Sequence, residues 1–274
     1  MRLPTEGSEP SAVASRPTWR LDGFEERAFA YQGARRAVFR RGKGPGVVVM
    51  HEIPGIYPAV VDFATRVANA GFTVAMPHLF GDVGRPYSSA YSAGTIVHAC
   101  ISREFRVLAA RASSPITDWL RALCRDLHAE LGGKGVGAVG MCLTGNFALA
   151  LLVDDAVMAP VLSQPSLPFP LGAERRAGLH VSDEALATIQ RRRVPVLGLR
   201  FTEDPLCRAE RFAHLRAELG DRFEGIEIDS SPGNAHGIPK SAHSVLTKDL
   251  VDREGHPTRA ALDRVLAFFH ERLD

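Results

Sequence analysis

Residues Val136–Ala150, VGAVGMCLTGNFALA, change character halfway along. The first half is a short apolar run suited to a buried strand, and from Asn146 the Ala and Leu content suits a helix. Cys142 stands at the junction, with Gly140 two residues before it and Thr144 and Gly145 two and three after. A strand that bends sharply into a helix with a nucleophile at the bend exposes that nucleophile at the carboxyl edge of a sheet. The next amide, Leu143 N–H, is left without an intrahelical acceptor and can meet an oxyanion. Glycine is usual both two before and two after such a nucleophile, so Thr144 is a departure. The competing reading of Cys142 is a small buried thiol between a strand and a helix.

Working outward, the other apolar runs alternate with amphipathic ones. Glu25–Tyr31 and Arg35–Arg40 flank a Gln32-Gly33-Ala34 turn and predict a hairpin at a sheet edge. Gly46–Met50 and Phe72–Met76 read as buried strands joined by a helix from Pro58 that stops at Gly71, which makes the two strands parallel. Residues 77–115 lose the pattern, apart from a short amphipathic piece near Ile101–Leu108, and a connection of that length suggests a lid or pocket wall. A helix over Pro115–Leu131 leads into the Cys142 strand. Further strands are expected at Val157–Leu162, Val194–Phe201 and Phe223–Ile228, with helices over Ser182–Arg193, around Phe212–Leu219, and from Thr258. Strands and helices in alternation give an α/β fold, a doubly wound and mainly parallel sheet with helices on both faces.

With 274 residues of which 45% are hydrophobic, the chain can bury one large core, expected over residues 21–274 behind a flexible tail at 1–20. A formal charge of +2 gives no electrostatic case for nucleic acid. Cys100, Cys124, Cys142 and Cys207 are far apart with no C-x-x-C pair, which leaves neither a zinc ribbon nor a thioredoxin motif and suits a reducing compartment. The first 20 residues lack the apolar core of a signal peptide, and no uncharged run of about 18 apolar residues occurs anywhere. A cytoplasmic protein with no membrane partner is expected.

In such a sheet the chain order of a nucleophilic site is nucleophile, acid, histidine, each on a loop at a strand's carboxyl end. Asp204 follows the strand VPVLGLRF in a turn before Pro205, and adjacent Glu203 competes with it. His236 sits in the Gly- and Pro-rich loop directly after the last strand, the place the order requires; His243 and His256 come later. The second oxyanion donor in this arrangement comes from the loop after the strand ending at Met50, at Ile53 N–H.

Together these pieces resemble the dienelactone hydrolase family, α/β-hydrolases with a cysteine nucleophile. The motifs that carry the resemblance are His51-Glu52-Ile53-Pro54-Gly55, Gly140-Met141-Cys142-Leu143-Thr144-Gly145, Thr202-Glu203-Asp204 and His236-Gly237-Ile238-Pro239-Lys240. The resemblance runs from about residue 25 to the C-terminus. It implies hydrolysis of small esters or lactones through a Cys142, Asp204 and His236 triad and an acyl-enzyme, oxyanion donors at Ile53 and Leu143, and no cofactor. It also implies that Glu52 helps convert thiol to thiolate when substrate arrives. Relatives that act on carboxylate-bearing lactones hold the carboxylate with arginines; Lys240 matches one such cation in sign, and Arg103 is the candidate for the other.

Other readings fit the same residues. One is a general short-chain carboxylesterase that needs no acidic substrate, and another is a ligand-binding member of the fold without turnover. A metal hydrolase using His51, Glu52 and His78 is opposed by Pro54 and Gly55, which break any H-E-x-x-H helix.

Overall fold

The computed structural model describes residues 21–101 and 114–274, with the backbone alone for 96–101. The expected tail at 1–20, Arg103 and most of the piece near Ile101–Leu108 lie outside the described residues.

Two residues with positive φ, Gln32 at 48° and Gly33 at 81°, turn strand β1 (Glu25–Tyr31) onto β2 (Ala34–Arg41). That is the turn whose twist matches paired strands. The remaining strands are β3 (Gly46–Met50), β4 (Thr73–Pro77), β5 (Val136–Met141), β6 (Val157–Ser163), β7 (Val196–Phe201) and β8 (Phe223–Ile228). They form one eight-stranded sheet in the order β1-β2-β4-β3-β5-β6-β7-β8. The β1–β2 and β2–β4 pairs are antiparallel, and every pair from β4–β3 across to β7–β8 is parallel.

Period-two alternation sends neighbouring residues of each strand to opposite faces. Val48, Met50 and Ala138 join one core with Trp119, Leu120, Leu123 and Leu127 of a helix over Pro115–Leu131. Val47, Val49 and Val139 join the other with Phe63 and Val67 of a helix over Pro58–Asn69 and Val265 and Phe269 of a helix over Pro257–Leu273. Two cores of this kind require helices on both faces, which is the doubly wound architecture expected.

Two helices among the described residues carry no apolar stripe in the sequence. Ser89–Ile101 is helical where Ser, Tyr and Ala give no apolar stripe, and Ala173–Ala177 adds a short turn. No helix among the described residues is long and apolar enough to cross a membrane.

Candidate active site

Strand β5 ends at Met141, and Cys142 turns the chain with φ of 54°, a left-handed conformation that costs a residue with a Cβ about 1–2 kcal/mol. Cys142–Thr144 form a 3₁₀ turn, and the α-helix Gly145–Leu151 follows. The glycines are fixed by close approach. A Cβ on Gly140 would collide with the Thr144 carbonyl, and one on Gly145 would collide with Pro165.

Thr144, the departure at the second position after the nucleophile, is buried and has its own function. Its hydroxyl accepts from Met141 N at 2.9 Å and has the carbonyls of Met50 at 3.0 Å, Met141 at 3.0 Å and His51 at 3.2 Å as acceptors. The hydroxyl thereby ties the elbow, with Leu143 N–H in its first turn, to the loop that carries Ile53.

The acid loop is clamped from below. The buried Arg200 guanidinium donates to the Cys207 carbonyl at 3.0 Å, the Thr202 carbonyl at 2.8 Å and Glu227 Oε2 at 2.5 Å. Between those carbonyls Asp204 is fully buried. Its Oδ1 accepts from Leu206 N at 2.8 Å, and its Oδ2 meets Nδ1 of His243 at 2.7 Å. Glu203, the competitor, is part-exposed and lies 3.6 Å from Lys240.

The histidine in contact with the acid is therefore His243, which corrects the expectation of His236. The cause lies in the turn before it. Asn234 donates to the carbonyls of Ser231 at 2.9 Å and Ile238 at 2.7 Å, and its Oδ1 accepts from the amides of His236 and Ile238. That closed turn leaves His236 exposed, stacked edge-on against His256 with ring centroids 5.3 Å apart. The chain then re-enters the core at Val245 and Leu246, carrying His243 inward. The signal was present, because His243-Ser244 precedes an apolar pair whereas His236 sits among turn-forming residues.

Nε2 of His243 is shut from solvent with no well-aligned partner among the described residues. The Cys142 sulfur is the neighbouring group that favours the protonated ring. Such contacts are commonly loose before substrate binds. Burial opposes the imidazolium, but the Cys142 sulfur and the Asp204 carboxylate outweigh it and hold the His243 pKa well above the ordinary value.

Glu52 is buried next to this group, and its carboxylate accepts from Tyr57, Thr247, Gln164 and Ser244. Lys240 does not join it: its side chain is 68% exposed at the surface beside Glu203. Lys240 stands four residues after His236, and the position four after His243 is Thr247, which is uncharged. His51 and His78 are committed to backbone. His51 Nε2 accepts from Leu79 N at 3.0 Å while Nδ1 faces the Glu52 carbonyl at 3.1 Å, and His78 Nε2 lies 2.8 Å from the Gly81 carbonyl.

Comparison with known proteins agrees with the fold. The solved structures most like it include a dienelactone hydrolase-like promiscuous phosphotriesterase from metagenomic libraries, 20% identical, with a TM-score of 0.61 over 92% of this chain and 98% of that one. A Pyrococcus furiosus esterase is 12% identical, with a TM-score of 0.56 over 92% of this chain and 93% of that one. These likenesses show the α/β-hydrolase fold. Among curated proteins, the "Putative carboxymethylenebutenolidase" of Saccharomyces cerevisiae is 28% identical over 159 residues, 57% of this chain and 54% of the relative. The match thus spans about half the length of that relative. The model of the dienelactone hydrolase family matches residues 30–273, and the chain belongs to that family.

Proposed function

We propose that the chain hydrolyses small carboxylic esters or lactones with Cys142 as nucleophile, His243 as proton shuttle and Asp204 as the acid that orients it. The observation that carries this reading is the 2.7 Å contact between Asp204 Oδ2 and His243 Nδ1, with the Cys142 elbow beside the ring. Family membership and the name of the yeast relative support it.

His243 Nε2 takes the thiol proton, and the sulfur attacks the substrate carbonyl. Negative charge gathers on the carbonyl oxygen, where the amides of Leu143 and Ile53 receive it; losing one such donor typically costs about 3 kcal/mol in the transition state. The intermediate collapses to a thioester as His243 returns its proton to the leaving oxygen. Water, deprotonated by His243, then releases the acid and restores the thiol. Asp204 holds the ring in the tautomer that keeps Nε2 free to accept.

Within this class a neutral acyl group fits better than a carboxylate-bearing one. Lys240 is engaged by Glu203, Thr247 brings no charge, and the buried Glu52 carboxylate adds negative charge near the site. The test is hydrolysis of p-nitrophenyl acetate and of a carboxylate-bearing lactone by the wild type and Cys142→Ala. We expect turnover of the neutral ester, slower turnover of the lactone, and loss of both by at least about a thousandfold in the variant. Activity retained in Cys142→Ala would falsify the assignment, and inactivity of the wild type on both substrates would favour a binding protein.

A further inference from the structure

Every partner described for the Glu52 carboxylate is uncharged, and together they saturate it. Oε1 accepts from the Tyr57 hydroxyl at 2.5 Å and from the Thr247 hydroxyl; Oε2 accepts from Ser244 Oγ at 2.9 Å and Gln164 Nε2 at 3.1 Å. A carboxylate offers about four lone-pair sites, and these donors take them all. Receiving the thiol proton would mean breaking this set inside a buried site, where each orphaned donor costs about 1–3 kcal/mol.

The partners matter as much as their number. Ser244 follows His243 directly, and Thr247 lies further along the same loop. Gln164 leaves β6 with φ of 35°, and its own Oε1 accepts from Ser163 Oγ and from Val245 N at 3.3 Å. Tyr57 stands at the N-cap of the helix over Pro58–Asn69. Glu52 thereby fastens the loops after β3 and β6 to the loop that bears His243. From the other side Asp249 Oδ2 accepts from the amides of His243 at 2.8 Å and Ser244 at 2.9 Å.

We propose that Glu52 is a positioning residue whose carboxylate, through Ser244 and Thr247, fixes the His243 loop, and that the Cys142 thiol proton passes directly to His243 Nε2 in the free protein. This rests on the triad reading above. In the step the S–H bond breaks and the Nε2–H bond forms, while Nδ1–H remains donated to Asp204; no other proton moves. The elevated pKa of the largely buried His243 is consistent with this ion pair.

The test follows alkylation of Cys142 by iodoacetamide across pH without substrate, beside kcat and KM for p-nitrophenyl acetate. The proteins are the wild type, Ser244→Ala, Thr247→Val, Thr247→Ser and Glu52→Gln, each checked for folding by thermal unfolding. The wild type is expected to alkylate nearly as fast at pH 6 as at pH 8, well below the region near 8.5 where a free thiol titrates. Ser244→Ala and Thr247→Val keep the carboxylate, yet should lose about tenfold or more in kcat with KM held, and their alkylation should shift toward free-thiol behaviour. Thr247→Ser keeps the hydroxyl and should recover both properties, which also covers the case in which Thr247→Val fails to fold.

Two results overturn the proposal. One is full kcat in both hydroxyl variants with a loss confined to Glu52→Gln, which means that the carboxylate acts on the thiol itself. The other is a free-thiol alkylation profile in the wild type. Failure of the triad reading looks different, because hydrolysis then survives in Cys142→Ala whatever the alkylation profiles show.

Discussion

Replacing His243 and replacing His236 should have opposite consequences, although only seven positions separate them. His243→Ala removes the group that meets Asp204 and is expected to lower kcat/KM by about two to four orders of magnitude. His236→Ala, on an exposed ring that touches only His256 among its described aromatic neighbours, should leave ester hydrolysis within about twofold. Steady-state kinetics on one neutral ester check both. The bend at Cys142 and the turn that buries Asp204 were legible from local pattern alone, because a glycine two before Cys142 and a turn after an apolar strand are short-range signals. The histidine left only one local signal, the apolar Val245-Leu246 pair just after His243. It is placed by where the chain re-enters the core, which depends on the Asn234 turn, on Asp249 and on Glu52, far away in sequence. Thr144 was likewise legible only as a departure. Its hydroxyl takes up a role between two loops that no single motif describes.

At the scale of elements, the segment after β6 depends on one arginine from another element. Arg211, on the helix over Ala209–Leu219, is buried, and its guanidinium donates to the carbonyls of Gly178 at 2.9 Å, Pro168 at 2.7 Å, Arg175 at 2.9 Å, and Pro165. No carboxylate is among these partners; the planar fork is matched to four backbone oxygens. Arg211→Met should lower the unfolding free energy by about 2–4 kcal/mol, read from urea denaturation, as buried carbonyls lose their donors. Amide exchange should rise selectively across residues 165–178. Arg211→Lys should rescue little, since a single ammonium cannot span that fork. The β-strands themselves were legible to within two residues because short apolar runs such as Gly46–Met50 leave few alternatives, and the Gln32-Gly33 turn marks the hairpin. The helix over Ser89–Ile101 was not, since its formation draws on local backbone hydrogen bonds such as Ser92 N to the Ser88 carbonyl, and no apolar stripe announces it.

For the whole molecule, acid sensitivity follows from a histidine outside the reacting group. His51 is fully buried between its two backbone partners, and burial pushes its pKa down to about 3. In the unfolded chain the same ring titrates near 6.5. Below that value the unfolded state binds a proton that the folded state refuses, so stability falls as pH drops from about 6.5 toward 3, by up to roughly 5 kcal/mol. Urea unfolding at stepped pH should show this slope. His51→Gln should start from lower stability but lose less of it on acidification. His243 has the opposite sign: its raised pKa adds stability below about 6.5 that is lost as pH climbs through the folded value.

The sheet order also has a consequence in time. Cys142 follows the central strand β5, but Asp204 follows β7, and His243 follows the edge strand β8, about a hundred residues after the cysteine. At roughly 5–20 residues per second on the ribosome, Cys142 is made some 5–20 seconds before His243 exists. On the proposed triad, it has in that interval the modest reactivity of an ordinary cysteine, and a nascent chain gains a reactive sulfur only when the His243 segment docks.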